Sequence, residues 1–202
     1  MAQTVKFWFD PACPFAWITS RWIREVEQVR DITVDFNVIS LGVLNEKNDD
    51  QDAPRTKSIW QGARAAIAVR QRHGAQKVSE FYTAAGTRIH NEGYGMERYE
   101  DALREALEEI GVADATEILE ESKTKACDEA LRESTKTALS LVGNDVGTPI
   151  VAIGDSAFFG PVMTRIPRGE EAGKLWDGFE ALVEFPYFYE LKRARTTDPD
   201  FS

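Results

Sequence analysis

Apolar side chains stand at nearly every position between residues 5 and 9: Val5, Phe7 and Phe9 alternate with Lys6 and Trp8. A run that is apolar on both faces suits a strand buried in the centre of a sheet. It stops at Asp10-Pro11. From 14 to 30 the spacing changes. Ile18, Trp22, Val26 and Val29 fall on one helical face, and Arg21, Arg24, Glu25 and Gln28 fall elsewhere. Pro14 fits the first turn of that helix, where a missing N–H costs nothing. Ile32, Val34, Phe36 and Val38 then alternate with Thr33, Asp35 and Asn37, which predicts a second strand. Strand, helix and strand at this spacing predict a right-handed parallel βαβ unit.

After Leu41 the pattern shifts. Residues 45 to 55 are polar and acidic and read as a loop. From Thr56 to Val142 only helical periodicity is found, with a break expected at His73-Gly74 and another at Gly111. Strand patterning resumes at Ile150 to Ile153. The turn pair Gly154-Asp155 joins this strand to Ser156–Gly160 as a hairpin. A last helix is predicted from Arg168 to Val183, with Leu175, Trp176, Phe179 and Leu182 facing inward. The tail from Lys192 is polar and expected to be loosely held. The order is that of an α/β thioredoxin fold (βαβ + ββα) with an all-helical insertion between the halves. Residues 1–42 and 145–202 would form the thioredoxin-like domain and 43–144 the helical insertion domain.

Composition narrows the partners. At 202 residues the chain is long enough for a core without staples. Its net charge of −10 repels nucleic acid and anionic membranes, so neither is expected as a partner. No signal peptide and no membrane-spanning run is read, which predicts a cytoplasmic protein. Two cysteines, Cys13 and Cys127, do not make a disulfide framework. There is no metal-ligand cluster, phosphate loop or dinucleotide fingerprint, so no metal and no tightly bound nucleotide is expected. The Gly-x-Ser-x-Gly elbow of a serine hydrolase is missing too.

Candidate chemistry centres on DPACPFAW, residues 10–17. Cys13 directly precedes a predicted helix. Unpaired N–H groups and the helix dipole at such a position favour thiolate, the nucleophilic form, so a lowered pKa is expected. The position that would complete Cys-x-x-Cys is Ala16. No thiol there can resolve a mixed disulfide, so a dithiol cycle within the motif is excluded. Either the chain is a natural monothiol form, or a cysteine was replaced to trap an intermediate. Cys127, in KACDEAL, reads better as a part-buried helix residue than as a resolving thiol. Gly147-Thr148-Pro149 precedes a strand of the second half and is the other marked feature.

FWFDPACPFAWITSRW resembles the active-site segment of the DsbA family, and in particular its actinobacterial mycothiol-dependent nitroreductase and DsbA-like mycothiol oxidoreductase group. SLGVLNE (40–46), RIHNEG (88–93), DVGTPIV (145–151) and AFFGPVMTRIPRGEEAGKLWD (157–177) extend the resemblance over nearly the whole chain. It is weakest in 47–58 and 94–135. The resemblance implies a thiol-disulfide oxidoreductase with Cys13 as nucleophile and a cis-proline, Pro149, against it. It also implies mycothiol as thiol cosubstrate, small-molecule or protein disulfides or nitro compounds as substrates, and a monomer or homodimer. Pro14, Phe15, Ala16 and Thr148 would contact substrate or thiol. Asn45, in the matching SLGVLNE segment, and His90, in RIHNEG, are further candidates, each with a plain alternative as a loop residue and a helix cap. Trp60 would either wall a pocket between the domains or anchor the insertion. Two other functions remain open: a kappa-class-like thiol transferase or isomerase using a bound low-molecular-weight thiol, and a non-catalytic thioredoxin-like binding protein with an unreactive Cys13.

Overall fold

A computed structural model describes residues 2–202. β1 (Gln3–Phe9) lies between β2 (Ile32–Val38) and β3 (Ile150–Ile153), and β4 (Ser156–Phe159) completes a four-stranded sheet of order β2-β1-β3-β4. β1 pairs in parallel with β2, with Phe7 opposite Phe36, and antiparallel with β3, with Phe7 opposite Val151. β3 and β4 form the hairpin. The continuous apolar run of β1 follows from this place, because its two faces meet different helices. Val5, Phe7 and Phe9 enter the main core, while Trp8 joins Ile39, Ala138, Ile150 and Ala152 in a second cluster.

α1 (Pro14–Val29) buries Ile18, Trp22, Ile23 and Val26. It packs beside α7 (Gly169–Glu184), and the two are tied at their ends. Arg30 contacts Asp177 at 2.7 Å and Glu170 at 3.0 Å, and Glu25 accepts the Gly169 N–H at 3.1 Å. The inward residues of α7 are Ala172, Gly173, Trp176 and Val183. Leu175 and Leu182, expected inside, are exposed. Small residues at 172 and 173 set the helix close to α1, and the buried stripe runs through them instead.

A short α2 (Leu41–Leu44) leads to the helical segment. α3 (Pro54–Gly86) is broken at Gly74, whose φ of 85° lies in the region that glycine adopts without a Cβ penalty. This is the break expected at His73-Gly74. A single π-helical turn, Thr87–Asn91, follows, then α4 (Tyr99–Glu109), α5 (Ala115–Ser122) and α6 (Asp128–Val142). These helices share a core with the sheet: Tyr82 of α3 stacks on Phe9 at 3.7 Å and meets Trp17 edge-on at 5.5 Å. α6 returns to the sheet's second face. Its Ser134 donates to the Val38 carbonyl at 2.6 Å, and Thr135 accepts the Ser40 N–H at 3.1 Å.

The C-terminal tail is not loose. The Asp200 N–H donates to the Thr164 carbonyl at 2.8 Å, and the Asn91 amide donates to the Phe201 carbonyl at 2.8 Å. Polarity alone does not show these ties, because each has a backbone group on at least one side.

Gly86 sits against Trp17 so closely that a Cβ would collide with three atoms of the indole ring. Gly86→Ala is expected to lower stability by about 2 kcal/mol through overpacking. Chemical denaturation should show a lower midpoint with an unchanged m-value; an unchanged midpoint would mean that Trp17 has room to shift.

Candidate active site

Cys13 occupies the N-cap position of α1, with φ −84° and ψ 114°. Its Sγ accepts the Ala16 N–H at 3.4 Å and donates to the Thr148 carbonyl at 3.4 Å. The Thr148–Pro149 peptide bond is cis. Thr148 is itself fixed by its hydroxyl, which donates to the Trp8 carbonyl at 3.2 Å. The motif residues Cys13 and Ala16 and the distant Thr148-Pro149 loop therefore meet at one sulfur. Pro14 and Phe15 continue from it into the first turn of α1.

The thiol is 6% exposed. Burial pushes its pKa up to about 11; the Ala16 N–H opposes that rise, and the nearby Asp10 carboxyl adds to it. This corrects the expectation of a lowered pKa. Position at a helix start is legible in sequence, whereas desolvation is set by chain segments far away, and here desolvation is the larger effect. At neutral pH Cys13 is a thiol with a ready acceptor in Thr148 and a ready N–H in Ala16 for the thiolate.

Asp10 directly follows β1. It is fully buried, and both its oxygens accept backbone N–H groups: Oδ1 from Ala12 at 2.8 Å and Oδ2 from Leu41 at 2.7 Å. Its own carbonyl accepts the Cys13 N–H at 3.0 Å. Burial raises its pKa to about 7 against the two hydrogen bonds that lower it. An acid at the end of an apolar strand, directly before the motif, was the available signal.

His90 does not pair with the sulfur. Its Nε2 lies 3.0 Å from the Pro11 carbonyl, so a neutral ring donates there and holds the loop that precedes Cys13. Burial lowers its pKa to about 4, which keeps the ring uncharged at neutral pH. Trp17 stacks on it at 5.7 Å, and the Trp17 indole N–H donates to Asn91 at 2.9 Å. Phe201 of the tail covers it at 5.4 Å.

Two candidates are held elsewhere. Asn45 gives its amide N–H to the Leu41 carbonyl at 2.9 Å and caps α2. Trp60 is buried under Gly42, and the guanidinium carbons of Arg64 and Arg132 lie 4.9 and 5.5 Å from its ring. Its indole N–H donates to Gln51 at 3.0 Å. Cys127 is a free cysteine preceding α6, its Sγ 3.5 Å from Glu121, and burial raises its pKa to about 11. Among the described residues no group of three or more His, Cys, Asp or Glu is placed to hold a metal ion. No helix there is long and apolar enough to cross a membrane.

Comparison with known proteins decides the family. The family described as mycothiol-dependent nitroreductase Rv2466c matches residues 12–193. The chain belongs to the Rv2466c-like family. This places it among oxidoreductases. The uncharacterized protein Rv2286c of Mycobacterium tuberculosis is 29% identical over 196 residues, 96% of this chain and 83% of that protein. Among solved structures, 2-hydroxychromene-2-carboxylate isomerase aligns with a TM-score of 0.60 at 16% identity, over 88% of this chain and 93% of that one. The probable DsbA oxidoreductase SCO1869 from Streptomyces coelicolor aligns at 0.54 and 13% identity, over 97% and 94%. At such identities the likeness is one of fold, and this member of the Rv2466c-like family has the DsbA-like thioredoxin fold with a helical insertion.

Two outcomes follow from the buried acids. Alkylation of Cys13 by iodoacetamide, mapped by peptide mass, should be slow at pH 7 and rise about tenfold per pH unit to at least pH 9. A plateau reached by pH 8 would place the thiolate far lower. Asp10→Ala strands two buried N–H groups and should cost about 2–4 kcal/mol in denaturation. Because the folded carboxyl sits near 7 against an ordinary 3.8, it binds more protons than the unfolded one between those values. The wild type should therefore lose stability as pH rises from 4 to 7, and that slope should flatten in the variant.

Proposed function

We propose that the protein is a cytoplasmic monothiol-disulfide oxidoreductase that works through Cys13 and uses mycothiol as its external thiol. The observation that carries this reading is the placement of Cys13 Sγ between the Ala16 N–H and the Thr148 carbonyl. One contact accepts the proton side of the thiol, and the other supports the charge of the thiolate. Family membership supports mycothiol as the partner.

The cycle needs one sulfur from the protein. Cys13 loses its proton to solvent, and the thiolate attacks a disulfide R–S–S–R. A bond forms between Cys13 and one sulfur, and RS⁻ leaves. The thiolate of an external thiol then attacks the mixed disulfide, frees Cys13 and departs as a new disulfide. Residue 16 contributes only its N–H, so the second step always falls to a thiol from outside the motif. Cys127 does not fill that role, being buried beside Glu121. With a nitro compound the same pair of thiols supplies two electrons. Cys13 and the external thiol join as a disulfide, the nitro group becomes nitroso, and one oxygen leaves as water with the two thiol protons. A cytosol rich in low-molecular-weight thiols is where such a cycle is sustained.

Incubation with oxidised mycothiol is expected to add one mycothiol by intact mass, mapped to Cys13 and reversed by reduced mycothiol. Cys13→Ser should show no adduct. If the wild-type mass stays unchanged after prolonged incubation at pH 8, the nucleophile reading is wrong.

A further inference from the structure

The end of the chain returns to the thiol site and brings a cation with it. Five contacts fix residues 197–201. The hydroxyls of Thr164 and Thr197 are 2.8 Å apart, the Asp200 N–H donates to the Thr164 carbonyl, and Arg165 meets the Asp200 carboxylate at 3.2 Å. Asn91 donates to the Phe201 carbonyl, and the Phe201 ring lies on His90. Just before this segment, the guanidinium carbon of Arg195 sits over the Phe15 ring, 4.5 Å from its centroid. Phe15 is the second residue after Cys13, and it packs against the core cluster that contains Cys13.

Arg195 differs from most arginines of this chain. With 34 acidic residues against 24 basic ones, most arginines have a carboxylate in ion-pair range. Among the described residues no carboxylate lies within 4.0 Å of Arg195; its partner is a ring. A guanidinium held over an aromatic face keeps N–H donors at its edge, in the fork that matches a carboxylate with two parallel hydrogen bonds. Of the nearby titratable groups, His90 is neutral, Asp10 is buried, and the Arg21 guanidinium lies over the Trp17 ring, 4.2 Å from its centroid. A net charge of −10 repels anions from the surface as a whole, so a guanidinium without a carboxylate partner, stacked on the ring two residues after Cys13, gives them a local attraction.

We propose that Arg195 is a specificity-determining residue of the thiol site and selects small disulfides that carry a carboxylate. The inference rests on Cys13 being the nucleophile. The exchange itself is unchanged: Cys13 gains a bond to one substrate sulfur and the other leaves as thiolate. Arg195 takes neither proton nor electron and acts by holding the carboxylate while the S–S bond is attacked.

The test compares two aromatic disulfides, dianionic dithiobis(nitrobenzoate) and uncharged dithiodipyridine. Second-order rates of Cys13 modification are measured by mapped mass, and the readout is the ratio of the anionic to the neutral rate. In Arg195→Ala this ratio should fall about threefold to tenfold, and in Arg195→Glu further; Arg195→Lys should restore part of it. High salt should shrink the wild-type ratio toward that of the alanine variant. Arg193→Ala, which removes a tail cation two residues away, should leave the ratio as it was. A ratio unchanged in Arg195→Ala, or lowered equally by Arg193→Ala, overturns the assignment while Cys13 reactivity stands. No adduct on Cys13 from either reagent overturns the nucleophile reading and this inference together.

Discussion

One carboxyl group, with no solvent around it, holds together the three pieces of chain from which the site is made. Asp10 takes the N–H of Ala12 on one oxygen and that of Leu41 on the other, and its carbonyl takes the N–H of Cys13. The end of β1, the loop carrying the cysteine and the entry to α2 are thereby one rigid unit. A buried carboxylate with no cation beside it is costly, and the group responds by holding its proton to about pH 7. The geometry at Cys13 thus depends on a residue that never touches substrate. Phe9, Phe36 and Tyr82 pack into the same region from three elements, which keeps water away from that carboxyl and from the sulfur.

The sulfur shows what happens when two local effects oppose each other. A helix start offers it N–H groups; the packed surroundings remove its water. Were it exposed, the first effect would dominate and a thiolate would stand ready. Only 6% exposed, it stays protonated at neutral pH. The reactivity of the site is then a property of how it is opened as much as of how it is built. His90 props the loop before the cysteine by its bond to the Pro11 carbonyl.

The parts of this molecule legible in its sequence are those governed by short-range periodicity. β1, α1, β2 and the hairpin announce themselves by period and turn residues, and Gly74 by its freedom at positive φ. That Thr148 and Pro149 meet Cys13 was implied by the family resemblance, which the contact to the Thr148 carbonyl matches. What stayed hidden depends on tertiary packing. Leu175 and Leu182 share a helical face with Trp176 and Phe179, but α7 is turned so that its small residues meet α1. Asn45 lies in a segment that matches related chains, yet its amide is occupied with the Leu41 carbonyl, and Trp60 is packed against Gly42. The tail carries no periodicity at all, and its attachments join backbone groups, polar side chains and one ring to segments far away in sequence.

Those attachments make the two ends of the chain chemically unequal. β1 starts at Gln3 and runs about 20 Å before reaching the cysteine loop, so a polypeptide joined ahead of it begins at the opposite end of that strand. One joined after Ser202 begins beside His90, Asn91 and the indole of Trp17. For anyone immobilising this protein, or fusing a reporter to it, the choice of end decides whether the graft stands clear of the thiol or leans over it.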